Sequence, residues 1–236
     1  MPAAARLLKT LDLRGKIITG DALLAQRTLS IQIVEAGGEY IWIMDPECGS
    51  RGKDNQPETL EAIRRLFAPE PVVKGFSPAG QDECHATETV DKAHGRIETR
   101  TLTASPASAV WLNWPEVAQV FKVERRFVRV KDGHVTQEVV YGVTSLTVAE
   151  ASAARLLALQ REHWDIENGL HYRRDVTFKE DRSRVRTGHA AQSLAAINNL
   201  VLGLLLRRGV TNVPDARRDL EADPRAAVAF ILGRPK

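Results

Sequence analysis

Two places in this 236-residue chain carry side chains whose types and spacing suit chemistry. The first is Asp21, which follows the short apolar run Lys16-Ile17-Ile18-Thr19 and a glycine. In parallel α/β sheets, functional groups collect at the carboxyl ends of strands, where side chains project into the crevice above the sheet. A turn or helix-cap carboxylate has the same sequence context, so the residue type alone leaves both readings open. The second place is REHWDIENGLHYRRD, residues 161–175. On an α-helix His163, Glu167, His171 and Arg174 fall at i, i+4, i+8 and i+11 and share one face, with Ile166 and Leu170 beside them to anchor it. A carboxylate flanked by imidazoles and a guanidinium can bind a divalent metal while the cations steer phosphate. His-x3-Glu-x3-His also supplies three zinc ligands on successive turns. A polar face with internal ion pairs is the third reading.

Cations cluster in two further windows. Lys122, Arg125, Arg126, Arg129 and Lys131 fall within ten residues, and Arg182, Arg184 and Arg186 alternate along another stretch. Grouped guanidinium ions neutralise phosphates and release counterions, which gives salt-sensitive affinity for nucleic acid. The formal net charge of +3 permits such a partner without demanding one, and a solvated charged face has the same composition.

The elements that must position these residues are legible as a change of pattern along the chain. Residues 3–12 read as a short helix, 16–19 as a buried strand, 26–35 as a helix ending at Gly37-Gly38, and 40–44 as a second buried strand. Helix, strand, helix, strand signals a parallel α/β arrangement. Residues 45–57 read as a loop, and 58–67 as an amphipathic helix. Four alternating, Val- and Thr-rich segments follow between residues 83 and 146, with turns at His94-Gly95 and Asp132-Gly133, as in an antiparallel sheet. Thr147-Val148-Ala149-Glu150 has the form of a capping box opening a long helix to about residue 172. Helices are expected at 189–208, 213–220 and 224–232.

Composition narrows the class. With 43% hydrophobic and 27% charged residues the chain is an ordinary globular one. Cys48 and Cys84 give neither a disulfide framework nor zinc spacing, which fits a reducing cytoplasm. The first residues have no apolar h-region, and the longest apolar run, 200–206, is too short to span a bilayer, so no membrane partner is expected.

The segment from Arg161 to Asp181, RxHWxIENxLHYxRDVxFxED, resembles the C-terminal signature of the ISAs family of insertion-sequence transposases, which includes the H-repeat-associated proteins. ITGDALLAQ (18–26), GGEYIWIM (37–44), KDNQPETL (53–60), ETVDKAHGRIETRTL (88–102) and NWPEVAQVFKVER are similar to further motifs of that family, in the same order. The resemblance runs from about residue 6 to residue 235. It departs from the family at residues 45–52, which intervene before Lys53, Asn55 and Gln56, and those three are not assigned a catalytic role.

This resemblance implies an α/β fold: a partial RNase H-like DDE transposase core interrupted by an antiparallel β-rich insertion and followed by a helical C-terminal region. The division would be 1–44 for the partial core, 45–146 for the insertion and 147–236 for the helical part. It implies Mg2+ or Mn2+ held by three carboxylates, with Asp21 as the second acidic residue and Glu167 as the third. The family's first acidic residue belongs to an earlier strand, upstream of the region this chain resembles. Little or no strand transfer by the chain alone is therefore expected.

The implied partners are DNA (inverted terminal repeats and target DNA) and a second copy or a full-length transposase. Arg174 stands where related transposases contact phosphate, and His163 where an arginine often precedes the glutamate. His171 would orient Glu167 or pack, Arg125 and Arg126 would add to DNA binding, and Trp164 would stack on a base or join the core. Asp175, Glu180 and Asp181 read as capping and pairing residues. Two other functions stay in view: a non-catalytic inhibitor that binds DNA or transposase, and a zinc hydrolase using His163, Glu167 and His171.

Overall fold

The computed structural model describes residues 2–44, 57–68, 84–93, 95–106 and 112–233, apart from the side chains of residues 2, 57 and 164–168. The chain forms two compact units, residues 1–161 and 162–236.

The first unit is built on a six-stranded mixed sheet. Its strands are β1 (Ile17–Gly20), β2 (Glu39–Met44), β3 (His85–Ala93), β4 (Arg96–Pro106), β5 (Gln119–Arg129) and β6 (Val135–Thr144), in the spatial order β1-β2-β6-β5-β4-β3. β1 and β2 are parallel, joined through α2 (Arg27–Glu35), as the alternation of helix and strand predicts. β2 then pairs antiparallel with β6, placing Trp42 opposite Val143 and Met44 opposite Tyr141. One sheet therefore holds both the opening strands and the four Val- and Thr-rich ones.

Because side chains alternate across a strand, the sheet has two apolar faces. Tyr40, Trp42, Met44, Val120 and Val143 face one way, against Leu29 and Ile33 of α2, Leu8 of α1 (Pro2–Leu8) and Ile63 of α3 (Pro57–Leu66). Ile41, Leu102, Ala104, Phe121 and Val123 face the other way, against Leu156, Leu157 and Leu159 of α4 (Ala153–Ile166). At Gly142, which opposes Phe121 in the ladder, a Cβ would lie 2.1 Å from the ring's Cζ, so only glycine admits the phenylalanine there.

The residues 147–150 do not open a helix. Glu150 accepts from both the backbone N–H and the hydroxyl of Thr147, closing a turn on itself. The helix starts at Ala153, with Ser152 at its mouth: the Ser152 hydroxyl accepts from Arg155 N–H and its carbonyl from Leu156 N–H. The motif satisfies the acidic half of a capping box. The threonine hydroxyl, however, is spent on the glutamate rather than on a helical N–H.

The second unit is helical, with α5 (Ala190–Arg207), α6 (Val213–Ala222) and α7 (Pro224–Ile231). Leu202, Leu205 and Val213 form its buried centre, with Leu170, Phe178, Val210, Leu220 and Phe230 packed around them. By length and composition α5 could cross a membrane. It nevertheless places Asn198 at its middle, donating to Glu180, a polar pairing suited to a folded helical unit.

Candidate functional site

Asp21 stands immediately after the last residue of β1, at the carboxyl end of the parallel pair. Its backbone carbonyl accepts from Leu24 and Ala25 N–H, at 3.0 and 3.1 Å, and its Oδ1 accepts from Leu23 N–H at 3.1 Å. This Asx turn fixes the carboxylate without burying it. Oδ2 has no hydrogen-bond partner among the described residues.

The position is set from below. A Cβ on Gly20 would lie 2.6 Å from the Trp42 ring, so glycine lets the strand end lie directly on the indole. Trp42 is wholly buried and donates to the Ser30 hydroxyl at 2.8 Å, which itself donates to the Gln26 carbonyl at 3.1 Å. Gln26 N–H closes back on Leu24.

The segment carrying Glu167 differs from the sequence expectation. α4 ends at Ile166, and residues Glu167–His171 and Arg173–Thr177 form π-helical turns. Hydrogen bonds from i to i+5 widen each turn, so a seven-residue step from Glu167 to Arg174 no longer returns to the same face. The uninterrupted α-helix expected to carry His163, Glu167, His171 and Arg174 therefore stops at Ile166. The Glu167 and Trp164 side chains lie outside the described residues, as do Cys48, Lys53, Asn55 and Gln56. His171 is exposed, and His163 is half-buried within the helical segment that precedes the first π turn.

Arg174 is engaged inside its own unit. Its guanidinium donates through Nε (2.9 Å) and Nη2 to Glu180, and Asn198 donates to the same carboxylate at 3.0 Å. These donors hold the Glu180 carboxyl at a pKa of about 2, below its ordinary 4.5, with burial opposing them. Since the folded value is the depressed one, the pairing contributes stability above about pH 4.5 and is lost as pH falls toward 2. Glu180→Gln is expected to cost about 1–3 kcal/mol at neutral pH and to flatten the acid limb of the stability curve. Denaturant melts at pH 6 and pH 3 check this, and equal acid losses in parent and variant would refute it.

Arg125 is likewise committed. It pairs with Glu98 and Glu138, at 3.3 and 3.1 Å, and lies 5.1 Å over the Phe127 ring. Glu98, buried in the sheet, also holds Arg100 at 2.6 Å; Arg100 reaches Asp91, and Asp91 reaches Arg161 of α4 at 3.1 Å. Alternation predicted these strands, but only the register brings Glu98, Arg100 and Arg125 onto one face. Arg126, one residue along, is on the opposite face and exposed.

A hard divalent cation prefers oxygen donors, and the exposed Asp21 carboxylate fits as one ligand. Among the described residues no three His, Cys, Asp or Glu side chains gather into a metal-holding group.

Comparison with known proteins supplies the family. The profile of the transposase DDE domain matches residues 1–204. The Escherichia coli protein YbfL is 27% identical over 210 residues, covering 86% of this chain and 50% of that protein. The H repeat-associated protein YhhI of the same species, named as a transposase, is 27% identical over 211 residues with the same coverage. YncI, also from Escherichia coli and named as a transposase, is 28% identical over 209 residues, 86% of this chain and 49% of that protein. The chain thus spans about half the length of the curated relatives it matches. An α/β sheet with an acidic residue at the carboxyl end of its parallel strand, matched by that profile over most of its length, makes this chain a member of the DDE transposase-domain family.

Proposed function

We propose that this chain serves DNA transposition, with Asp21 and Glu167 as two of the acidic ligands of a divalent-metal site for strand cleavage and transfer at inverted terminal repeats. The observation that carries the reading is the Asp21 carboxylate, held at the end of β1 with one oxygen uncommitted, in a chain of this family. In this reading residues 1–44 belong to an RNase H-like core, 45–146 to an insertion that extends its sheet, and 147–236 to the helical part carrying Glu167. Divalent cations, Mg2+ or Mn2+, supply electrostatic stabilisation of the attacking and leaving oxygens when bound. The protein's share is to hold carboxylates at fixed positions, to position DNA by its phosphates through exposed cations such as Arg126, and to assemble with DNA and further transposase chains. His163 and His171 flank Glu167 in sequence and would orient it or meet phosphate.

The test is incubation of the chain with labelled terminal-repeat duplex and Mg2+ or Mn2+. Cleavage at the repeat end that stops on chelation supports the reading. Metal-independent DNA binding with no cleavage, at any protein concentration, favours a second one, a non-catalytic binder of DNA or of transposase. That second reading draws on Asp21 having no companion ligands among the described side chains.

A further inference from the structure

Two of the arginines that the sequence singles out as DNA contacts are paired with carboxylates of the protein. Arg174 is locked to Glu180, and Arg125 is shared between Glu98 and Glu138. Arg182, Arg184 and Arg186 behave differently. All three are exposed, and none has an acidic partner among the described residues. Arg182 closes a short 3-10 turn, Glu180–Arg182, and Ser183 (φ −65, ψ 134) leads out of it, its hydroxyl accepting from Val185 N–H. Residues 183–186 are neither helix nor strand, and the run ends at Gly188 (φ +55), just before α5.

The three arginines fall within five residues of a short turn and irregular backbone, so their charges are concentrated on one exposed stretch. No acidic residue interrupts the run, since 183, 185 and 187 are serine, valine and threonine. Of the two acids that precede it, Glu180 is already neutralised by Arg174 and Asn198. The run leads into an α5 first turn that has no acidic residue and no side-chain cap, so the local potential stays positive. A membrane surface is the poorer fit, because the strip offers only Val185 as an apolar contact.

We propose that Arg182, Arg184 and Arg186 form a phosphate-binding strip that lies along one backbone strand of duplex DNA, independent of base sequence. This names the DNA-contacting surface of the function proposed above and rests on that reading.

Binding of the 236-residue chain to a labelled duplex of arbitrary sequence, followed by fluorescence anisotropy over a salt series, tests it. Each phosphate contact contributes about 0.9 to the slope of log affinity against log salt. The R182A/R184A/R186A variant is expected to bind at least about tenfold more weakly at low salt, with its slope smaller by roughly 2–3. The triple lysine variant keeps the charges and is expected to keep the slope. Should the triple alanine variant fail to fold, the single variants each lower the slope by about 1. Wild-type binding with an unchanged slope in the variants overturns the strip and leaves the DNA reading standing. No binding by the wild type overturns both. A strip-dependent slope seen with single-stranded DNA alone overturns the duplex assignment.

Discussion

Asp21→Asn is expected to leave stability within about 0.5 kcal/mol of the parent while lowering Mn2+ affinity at least about tenfold, and with it whatever metal-dependent DNA cleavage the parent performs. The two effects separate because asparagine keeps the part of the side chain that the fold uses. Its Oδ1 still accepts from Leu23 N–H, and the backbone bonds from Leu24 and Ala25 to residue 21 do not involve the side chain. What it loses is the negative charge and the second oxygen, the features a hard cation needs. Paired melts and cleavage assays read both quantities, with manganese titration as a readout that does not require turnover. Cleavage by Asp21→Asn at the parental rate, or equal metal affinity in the two proteins, would remove Asp21 from the site. Asp21→Ala is a less clean test, since it breaks the Asx turn as well.

Trp42→Ala is expected to cost about 3–5 kcal/mol, the range for deleting a large buried aromatic side chain. Trp42 is fully buried, stacks on Tyr40 with centroids 5.5 Å apart, and supplies the surface on which Gly20 rests. The cavity cannot be refilled from above, because residue 20 has no side chain. For a unit of this size the loss corresponds to a fall in Tm of roughly 10 °C. Loosening should also reach Asp21, since Trp42 bonds to Ser30, Ser30 to Gln26, and Gln26 to Leu24. Faster amide exchange at Leu24 and Ala25 is the local readout. A Tm within 2–3 °C of the parent would mean that the indole does not support this end of the sheet. Trp42→Phe retains most of the buried ring area and should fall between the two.

The sheet was legible because its signal is local. Two apolar runs separated by a helix of regular length specify a parallel pair, and β1 and β2 form one. The alternation at residues 83–146 gives four strands, with glycines at the β3–β4 and β5–β6 turns, and β3 to β6 lie where it places them. The helix after residue 147 starts at Ala153, later than its capping-box motif predicts. Threonine and glutamate three apart satisfy each other equally well as a closed turn, and sequence spacing does not distinguish that turn from a capping box.

The candidate site divides in the same way. The residue types near Asp21 and Glu167 state the chemistry, and their order along the chain carries the family, because motifs are a property of sequence. The partners of each charge are not. Arg174 and Arg125 read as free cations beside Arg182 or Arg126, yet a salt bridge is decided by which carboxylate the fold brings within reach. For Arg174, in a π-helical turn, that carboxylate is Glu180, six residues on in the 3-10 turn that follows, with Asn198 of α5 completing it. For Arg125 it is Glu98 on a neighbouring strand, set by register alone.

The alternation of elements and the motifs that carry the family are legible in the chain alone, since each depends on residues near one another in sequence. The fold is needed to see which carboxylates Arg125 and Arg174 pair with, where the helix bearing Glu167 changes pitch, and why residue 20 must be glycine. The Arg125–Glu98 pair and the seat of Gly20 on Trp42 join residues more than twenty apart in sequence, whose approach no local pattern contains.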